Sequence, residues 1–147
     1  MFKNILVVCV GNICRSPMAE ALLREKAPPA SGVSIASAGI AALVGEPADP
    51  NAGLLMQERG VDISAHRARQ LTAEMAHAAD LILVMESAHQ KHLHCLAPAS
   101  RGRVHLLGKW HNRDVPDPYK RSPEYFEHVL TLIEQDVEAW SKKLWSK

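Results

Sequence analysis

Ile5-Leu6-Val7-Val8-Cys9-Val10 runs directly into Gly11-Asn12-Ile13-Cys14-Arg15-Ser16-Pro17, and the reading of these 13 residues decides the fold. The first six are continuously apolar and rich in β-branched types, the pattern of a strand covered on both faces. Ser16-Pro17 pairs a hydroxyl N-cap candidate with a proline suited to the first helical position. Met18 to Lys26 therefore reads as a helix, stopped by Pro28-Pro29.

The same alternation continues outward. Val33 to Ser37 reads as a weaker second strand, Gly39 to Pro50 as a loop, and Asn51 to Arg59 as a helix closed by Gly60. Thr72 is placed to cap a short helix reaching Ala79. Leu81 to Met85 forms a third buried strand, with a helix over Ser87 to Ala97 behind it. Val104 to Leu107 is a fourth strand, ended by Gly108. Ser122-Pro123 repeats the cap signal, and Phe126, Val129, Leu130, Ile133, Val137, Trp140 and Leu144 then form one helical stripe. Strands alternating with helices, the strands wholly apolar, imply an α/β fold: a parallel sheet between helices on both faces. Ligands of such sheets bind beyond the carboxyl ends of the strands, so the loop after the first strand is the expected site.

Composition narrows the possibilities. The chain has 147 residues, 47% apolar and 22% charged, the balance of a globular protein with a sizeable core. One domain over 1–147 is expected. Lys and Arg number 17 against 16 Asp and Glu, a near-balance that speaks against a general nucleic-acid binder. Three cysteines do not make a disulfide framework and suit reduced thiols in a cytoplasmic protein. The run from Ile5 to Val10 falls far short of the ~20 residues of a membrane span, so no membrane insertion is expected. It is also too short for a signal-peptide core.

The loop has a chemistry of its own. A short connection between a strand and a helix N-terminus can curl so that the N–H groups of Val10, Gly11, Asn12, Ile13 and Cys14 point into one cavity, an anion nest. Gly11 and Asn12 tolerate the positive φ that such a curl needs. Arg15 adds a planar fork matched to two oxygens of a phosphate. Cys9 sits at the base of the same cavity, in surroundings that stabilise a thiolate, the nucleophilic form. Ser16 can donate its hydroxyl to that sulfur. A Cys-x5-Arg match alone is weak; its place between a strand and a capped helix is what gives it weight. Neither the G-x-G-x-x-G nor the Gly-Lys-Ser/Thr pattern of nucleotide loops is present.

The stretch from Cys9 to Glu20 resembles the signature of the low-molecular-weight protein tyrosine phosphatases. Ser37-Ala38-Gly39, His66-Arg67-Ala68-Arg69-Gln70 and Asp117-Pro118-Tyr119 match the later motifs of that family in order. The likeness is to the Gram-negative branch that acts beside tyrosine autokinases in capsule and exopolysaccharide export. It implies a three-layer fold around a four-stranded parallel sheet, and hydrolysis of phosphotyrosine through a phosphocysteine without metal or cofactor. It implies a phosphotyrosine protein, such as an autokinase, as partner, with phosphate or another oxyanion in the loop. It places the general acid on Asp117, whose flanking Pro116 and Pro118 fix its direction. It places Ile13, Leu43 and Tyr119 around the pocket, and gives Asn12, Ser37 and His66 the task of bracing the loop. Many relatives carry a second aromatic after Tyr119; Lys120 here is expected to leave that wall more open. A Cys9–Cys14 disulfide under oxidation is implied by relatives that carry the same pair.

Other signals read as structural. His89, His92 and His94 beside Cys95 are expected on a solvated helix face, without metal. Trp140 and Trp145 read as core anchors, and Lys142, Lys143 and Lys147 as charges that favour the helix dipole. Three other functions fit the loop. An arsenate reductase needs further thiols, and only Cys95 lies outside the loop. An arginine phosphatase of the family carries Thr where this chain has Ile13. A non-catalytic phosphate-binding module would have no use for both Cys9 and Asp117.

Overall fold

The computed structural model describes residues 2–145. Four strands, β1 (Asn4–Cys9), β2 (Ser34–Gly39), β3 (Leu81–Val84) and β4 (Val104–Leu106), form one parallel sheet in the order β2-β1-β3-β4. The helices are α1 (Arg15–Lys26), α2 (Pro50–Glu58), α3 (Ala73–Ala78), α4 (Ser87–Leu96) and α5 (Pro123–Trp145). Two short 3-10 turns, Pro98–Ser100 and Lys109–His111, flank β4. The chain leaves β1 toward β2 on one side and β3 on the other, so the switch point lies at the end of β1.

The three layers follow from the period of a strand. Ile5, Val7 and Cys9 point to a core shared with Met18 and Leu23 of α1, Met56 of α2, and Phe126, Leu130 and Ile133 of α5. Leu6 and Val8 point the other way, to Ala76 of α3 and Leu93 of α4. Both sets are buried, which is why β1 shows no polar alternation. In register, Cys9 stands beside Gly39, and Val8 beside Val84.

Two element boundaries carry physical information. Helix α1 begins at Arg15 with Cys14 in the cap position, not at Met18 behind a Ser16 cap. Ser16 and Pro17 lie inside the first turn, where a missing N–H costs nothing. The hydroxyl of Ser16 is taken by tertiary partners instead. At α5 the cap works as the sequence suggests: Ser122 Oγ accepts from the Tyr125 N–H at 3.2 Å.

The stripe of α5 is buried from Phe126 to Trp140, but it also contains Asp136, fully buried. Burial raises its carboxyl from the ordinary range, opposed by hydrogen bonds from Arg113 and His111. Both partners meet Asp136 Oδ1 at 2.8 Å. Trp145 packs against the core as a partly buried ring. Lys142 and Lys143 occupy the last turn of α5; Lys147 lies outside the described residues.

Candidate active site

The loop between β1 and α1 is held by its carbonyl groups. The oxygens of Cys9, Val10, Gly11 and Ile13 accept from the N–H groups of Ile40, Ala41, Leu43 and Asp49, at 2.8–3.1 Å. The Asn12 carbonyl accepts from His66 Nε2 at 2.6 Å, which fixes the proton of that imidazole on Nε2. A trans peptide directs each N–H opposite to the preceding carbonyl. With the carbonyls turned to the 40–49 segment and His66, the amides of the loop turn the other way. Among the described residues, the N–H groups of Gly11 to Cys14 donate to no other backbone group. This is the arrangement that an anion nest requires.

Asn12 is the centre of the curl. Its φ is 60°, while Gly11 does not take the left-handed conformation that the sequence allowed it. Asn12 is wholly buried, and its side chain is fully used. Nδ2 donates to Ser16 Oγ at 2.7 Å and to Ser37 Oγ at 3.0 Å; Oδ1 accepts from the Arg69 N–H at 2.9 Å. Ser37 Oγ in turn donates a hydrogen bond to Glu20, which is paired with Arg24. Ser16 Oγ accepts from Asn12 and lies 2.9 Å from Cys9 Sγ, where its hydroxyl can donate to a thiolate. The sulfur thus sits at the end of a directed chain of hydrogen bonds.

Arg15 is 1% exposed and gripped at one end only. Nη1 donates to Glu86 Oε2 at 2.5 Å and to the Val115 carbonyl at 2.8 Å, which consumes both of its hydrogens. Nε and Nη2 are left as a parallel pair of donors, a geometry that matches two oxygens of a phosphate. Nη2 lies 3.6 Å from Asp117 Oδ2. The other carboxyl oxygen of Asp117 accepts from the Tyr119 N–H at 3.0 Å. The segment reaches this place because the Val115 N–H donates to the Met85 carbonyl at the end of β3.

These groups surround one cavity of about 130 Å³. Cys9 and Arg15 line it, Ile13, Leu43 and Tyr119 supply its apolar surfaces, and Asp117 belongs to the same lining. Ile13 is buried, whereas Leu43 and Tyr119 are each 42% exposed and border the mouth. Lys120 does not simply leave a gap: with φ at 63° it turns back, and its ammonium lies 5.5 Å from the Tyr119 ring centroid. A wider groove of about 590 Å³ runs past Glu20, Ser37 and His66 and holds no cysteine.

The remaining site candidates separate. Burial pushes the Cys14 thiol well above the ordinary range, helped by Asp49, Cys9 and Asp117 and opposed by Arg15. Cys14 therefore stays protonated. His89 departs from the solvated face expected of it: it is buried, and its Nδ1 accepts from the Glu86 N–H at 3.2 Å. Burial, and next the charge of Arg15, lower its pKa from the ordinary histidine value. Glu86 escaped the sequence reading altogether. Its signal was its position, the first residue after the predicted strand Leu81–Met85, which is where Cys9-type ligand residues are sought.

Known proteins resemble this chain over nearly its whole length. The family described as low molecular weight phosphotyrosine protein phosphatase matches residues 4–147. The "Probable low molecular weight protein-tyrosine-phosphatase EpsP" of Ralstonia nicotianae is 50% identical over 144 residues, 98% of this chain and 97% of that protein. The structure of Vibrio vulnificus Wzb in complex with benzylphosphonate superposes with a TM-score of 0.93 at 46% identity, covering 98% of this chain and 100% of that one. The YwlE arginine phosphatase from Geobacillus stearothermophilus gives 0.89 at 33% identity, covering 96% and 92%. The chain belongs to the low molecular weight phosphotyrosine protein phosphatase family and is a phosphoric monoester hydrolase of that kind.

Proposed function

We propose that residues 1–147 act as one domain that hydrolyses phosphotyrosine, with Cys9 as nucleophile, Arg15 as phosphoryl clamp and Asp117 as general acid. The observation that carries this reading is the convergence of the three on one cavity with apolar surfaces. Cys9 Sγ, deprotonated, attacks phosphorus in line. The phosphorus–oxygen bond to the phenol breaks, and Asp117 delivers its proton to the departing oxygen. A phenol has a pKa of ~10, so this proton matters to the rate. The equatorial oxygens lie against the Arg15 Nε–Nη2 edge and the loop amides, which are already in place before the substrate arrives. Water then attacks the phosphocysteine, and Asp117 takes its proton. Ser16 donates to the sulfur as it leaves.

The substrate we propose is a phosphotyrosine protein, namely a bacterial tyrosine autokinase of polysaccharide export, on which this chain acts in the cytoplasm, as the resemblance to the Gram-negative branch implies. No helix among the described residues is long and apolar enough to cross a membrane. The Vibrio relative is in complex with benzylphosphonate, a tetrahedral phosphonate joined to an aromatic ring through a methylene, and the apolar lining by Ile13, Leu43 and Tyr119 supports an aromatic group in the cavity here. Ile13 offers an apolar branch, which favours an aryl group over the guanidinium of phosphoarginine.

The test is turnover of aryl phosphates. Cys9→Ser is expected to abolish turnover and still bind phosphate. Asp117→Asn is expected to lose on the order of 10²–10⁴ in kcat with phenyl phosphate and less with p-nitrophenyl phosphate. Retained turnover by Cys9→Ser, or an equal loss for both esters, overturns the assignment.

A further inference from the structure

We propose that His89 is a positioning residue for phosphoryl transfer: it fixes Glu86, and through Glu86 the orientation of the Arg15 fork. The proposal rests on the phosphatase reading above and assigns a task to a residue that touches neither substrate nor sulfur.

The geometry gives the order of the links. His89 is 6% exposed and is the one buried histidine among the described residues. Its Nδ1 accepts from the Glu86 N–H at 3.2 Å, so that nitrogen carries no proton. The single ring proton is then on Nε2, 3.7 Å from Glu86 Oε2. The His89 N–H donates to the Glu86 carbonyl at 2.9 Å, closing the first turn of α4 around the same residue. Glu86 is thus held at its backbone by two bonds to His89, and its carboxylate is approached by the ring. That carboxylate holds Arg15 Nη1 at 2.5 Å.

The grip matters because of which hydrogens it uses. Nη1 is fully occupied by Glu86 and the Val115 carbonyl, which leaves Nε and Nη2 as the donors that Arg15, a lining residue of the cavity, can offer an oxyanion. If Glu86 lets go, the guanidinium can rotate about its long side chain, and a displacement of ~1 Å at a transferring group costs on the order of 10²-fold in rate. His89 is neutral in this arrangement. The charged groups that bear on it are Arg15 from α1, Glu86 from its own turn, and Asp114 and Asp117 from the segment after β4. A doubly protonated ring would set an N–H against the Glu86 N–H and break the link.

The experiment compares His89→Ala, His89→Asn, Glu86→Ala and the double variant, with p-nitrophenyl and phenyl phosphate as substrates and inorganic phosphate as competitive ligand. Wild-type turnover first tests the phosphatase reading; only with an active wild type do the variants bear on His89. His89→Ala is expected to lose about 10-fold in kcat, and Glu86→Ala about 10²-fold, each with weaker phosphate binding. His89→Asn keeps an acceptor at the Nδ1 position and is expected to recover most of the loss. The losses are expected to be equal for the two esters, since Arg15 acts on the phosphoryl group and not on the leaving group. The double variant is expected to match Glu86→Ala alone, because His89 acts only through it. Thermal melting identifies variants that fail to fold, and Glu86→Gln and His89→Asn then carry the comparison. Wild-type kcat in His89→Ala, additive losses in the double variant, or a loss confined to the poorer leaving group each overturn the proposal.

Discussion

Replacement of Asn12 by Ala tests the loop at its most connected point. Three side-chain hydrogen bonds vanish: those to Ser16, Ser37 and the Arg69 N–H. Each is worth about 1 kcal/mol net, and the orphaned N–H sits at the upper end of that scale. Alanine must also hold the left-handed φ of 60°, at a cost of about 1 kcal/mol. The sum is about 4 kcal/mol, a large part of the 5–15 kcal/mol that holds a typical domain together. For a chain of 147 residues that corresponds to a fall in Tm of about 8–16 °C. Urea unfolding and calorimetry measure it. Asn12→Gly removes the same bonds without the backbone penalty, so the difference between the two isolates the strain. Activity adds an independent reading. With Asn12 gone, Ser16 Oγ loses its donor, its proton is free to turn from Cys9, and kcat/KM is expected to fall at least 10-fold. A variant within about 1 kcal/mol of wild type, with unchanged kcat/KM, would refute the view that the curl depends on this side chain.

Further outcomes are expected elsewhere. Ile13→Thr should lower the ratio of phosphotyrosine to phosphoarginine turnover; a constant ratio removes Ile13 as the selector. A Cβ on Gly39 would stand 2.5 Å from the Val10 carbonyl oxygen, whereas one on Gly53 meets nothing within 4 Å. Gly39→Ala should therefore cost about 1–3 kcal/mol and depress kcat, while Gly53→Ala in α2 gains up to ~1 kcal/mol; equal urea midpoints would contradict this. Peroxide should oxidise Cys9 to a sulfenic acid, and Cys14 should displace water from it to form a disulfide that dithiothreitol reopens. Because burial keeps Cys14 protonated, trapping should be slow and quicken as pH rises. Mass spectrometry that finds Cys9 bridged to Cys95, or to nothing, would exclude that route.

What the sequence could and could not tell follows from where each residue finds its partners. The strand-loop-helix unit was legible because its evidence is local: one apolar run, one Cys-x5-Arg spacing, one proline. The sheet followed from repetition of that pattern, and Phe126 to Trp140 from helical spacing. The start of α1 was misread because Ser16 obeys Cys9 and Asn12, not the end of its own helix. His89 was misread for a similar reason. A helical wheel places it with His92, but its ring is taken by the Glu86 N–H, a partner the wheel does not show. Asp136 shows the same limit: nothing in the stripe of α5 announces a carboxylate whose partners, His111 and Arg113, stand on a loop more than 20 residues earlier.

Arg15 also acts as a rivet. One guanidinium joins the start of α1, the turn after β3 and the irregular segment that leads to Asp117. The proposed clamp for substrate is thus a cross-link of the resting molecule, and it is set before anything binds. Such a site has little left to rearrange when an oxyanion enters, so binding pays almost no reorganisation cost. Phosphate should then raise Tm only by the mass-action amount fixed by its own Kd and concentration. Amide exchange should slow in the loop and stay as it was in the distant ends of the sheet.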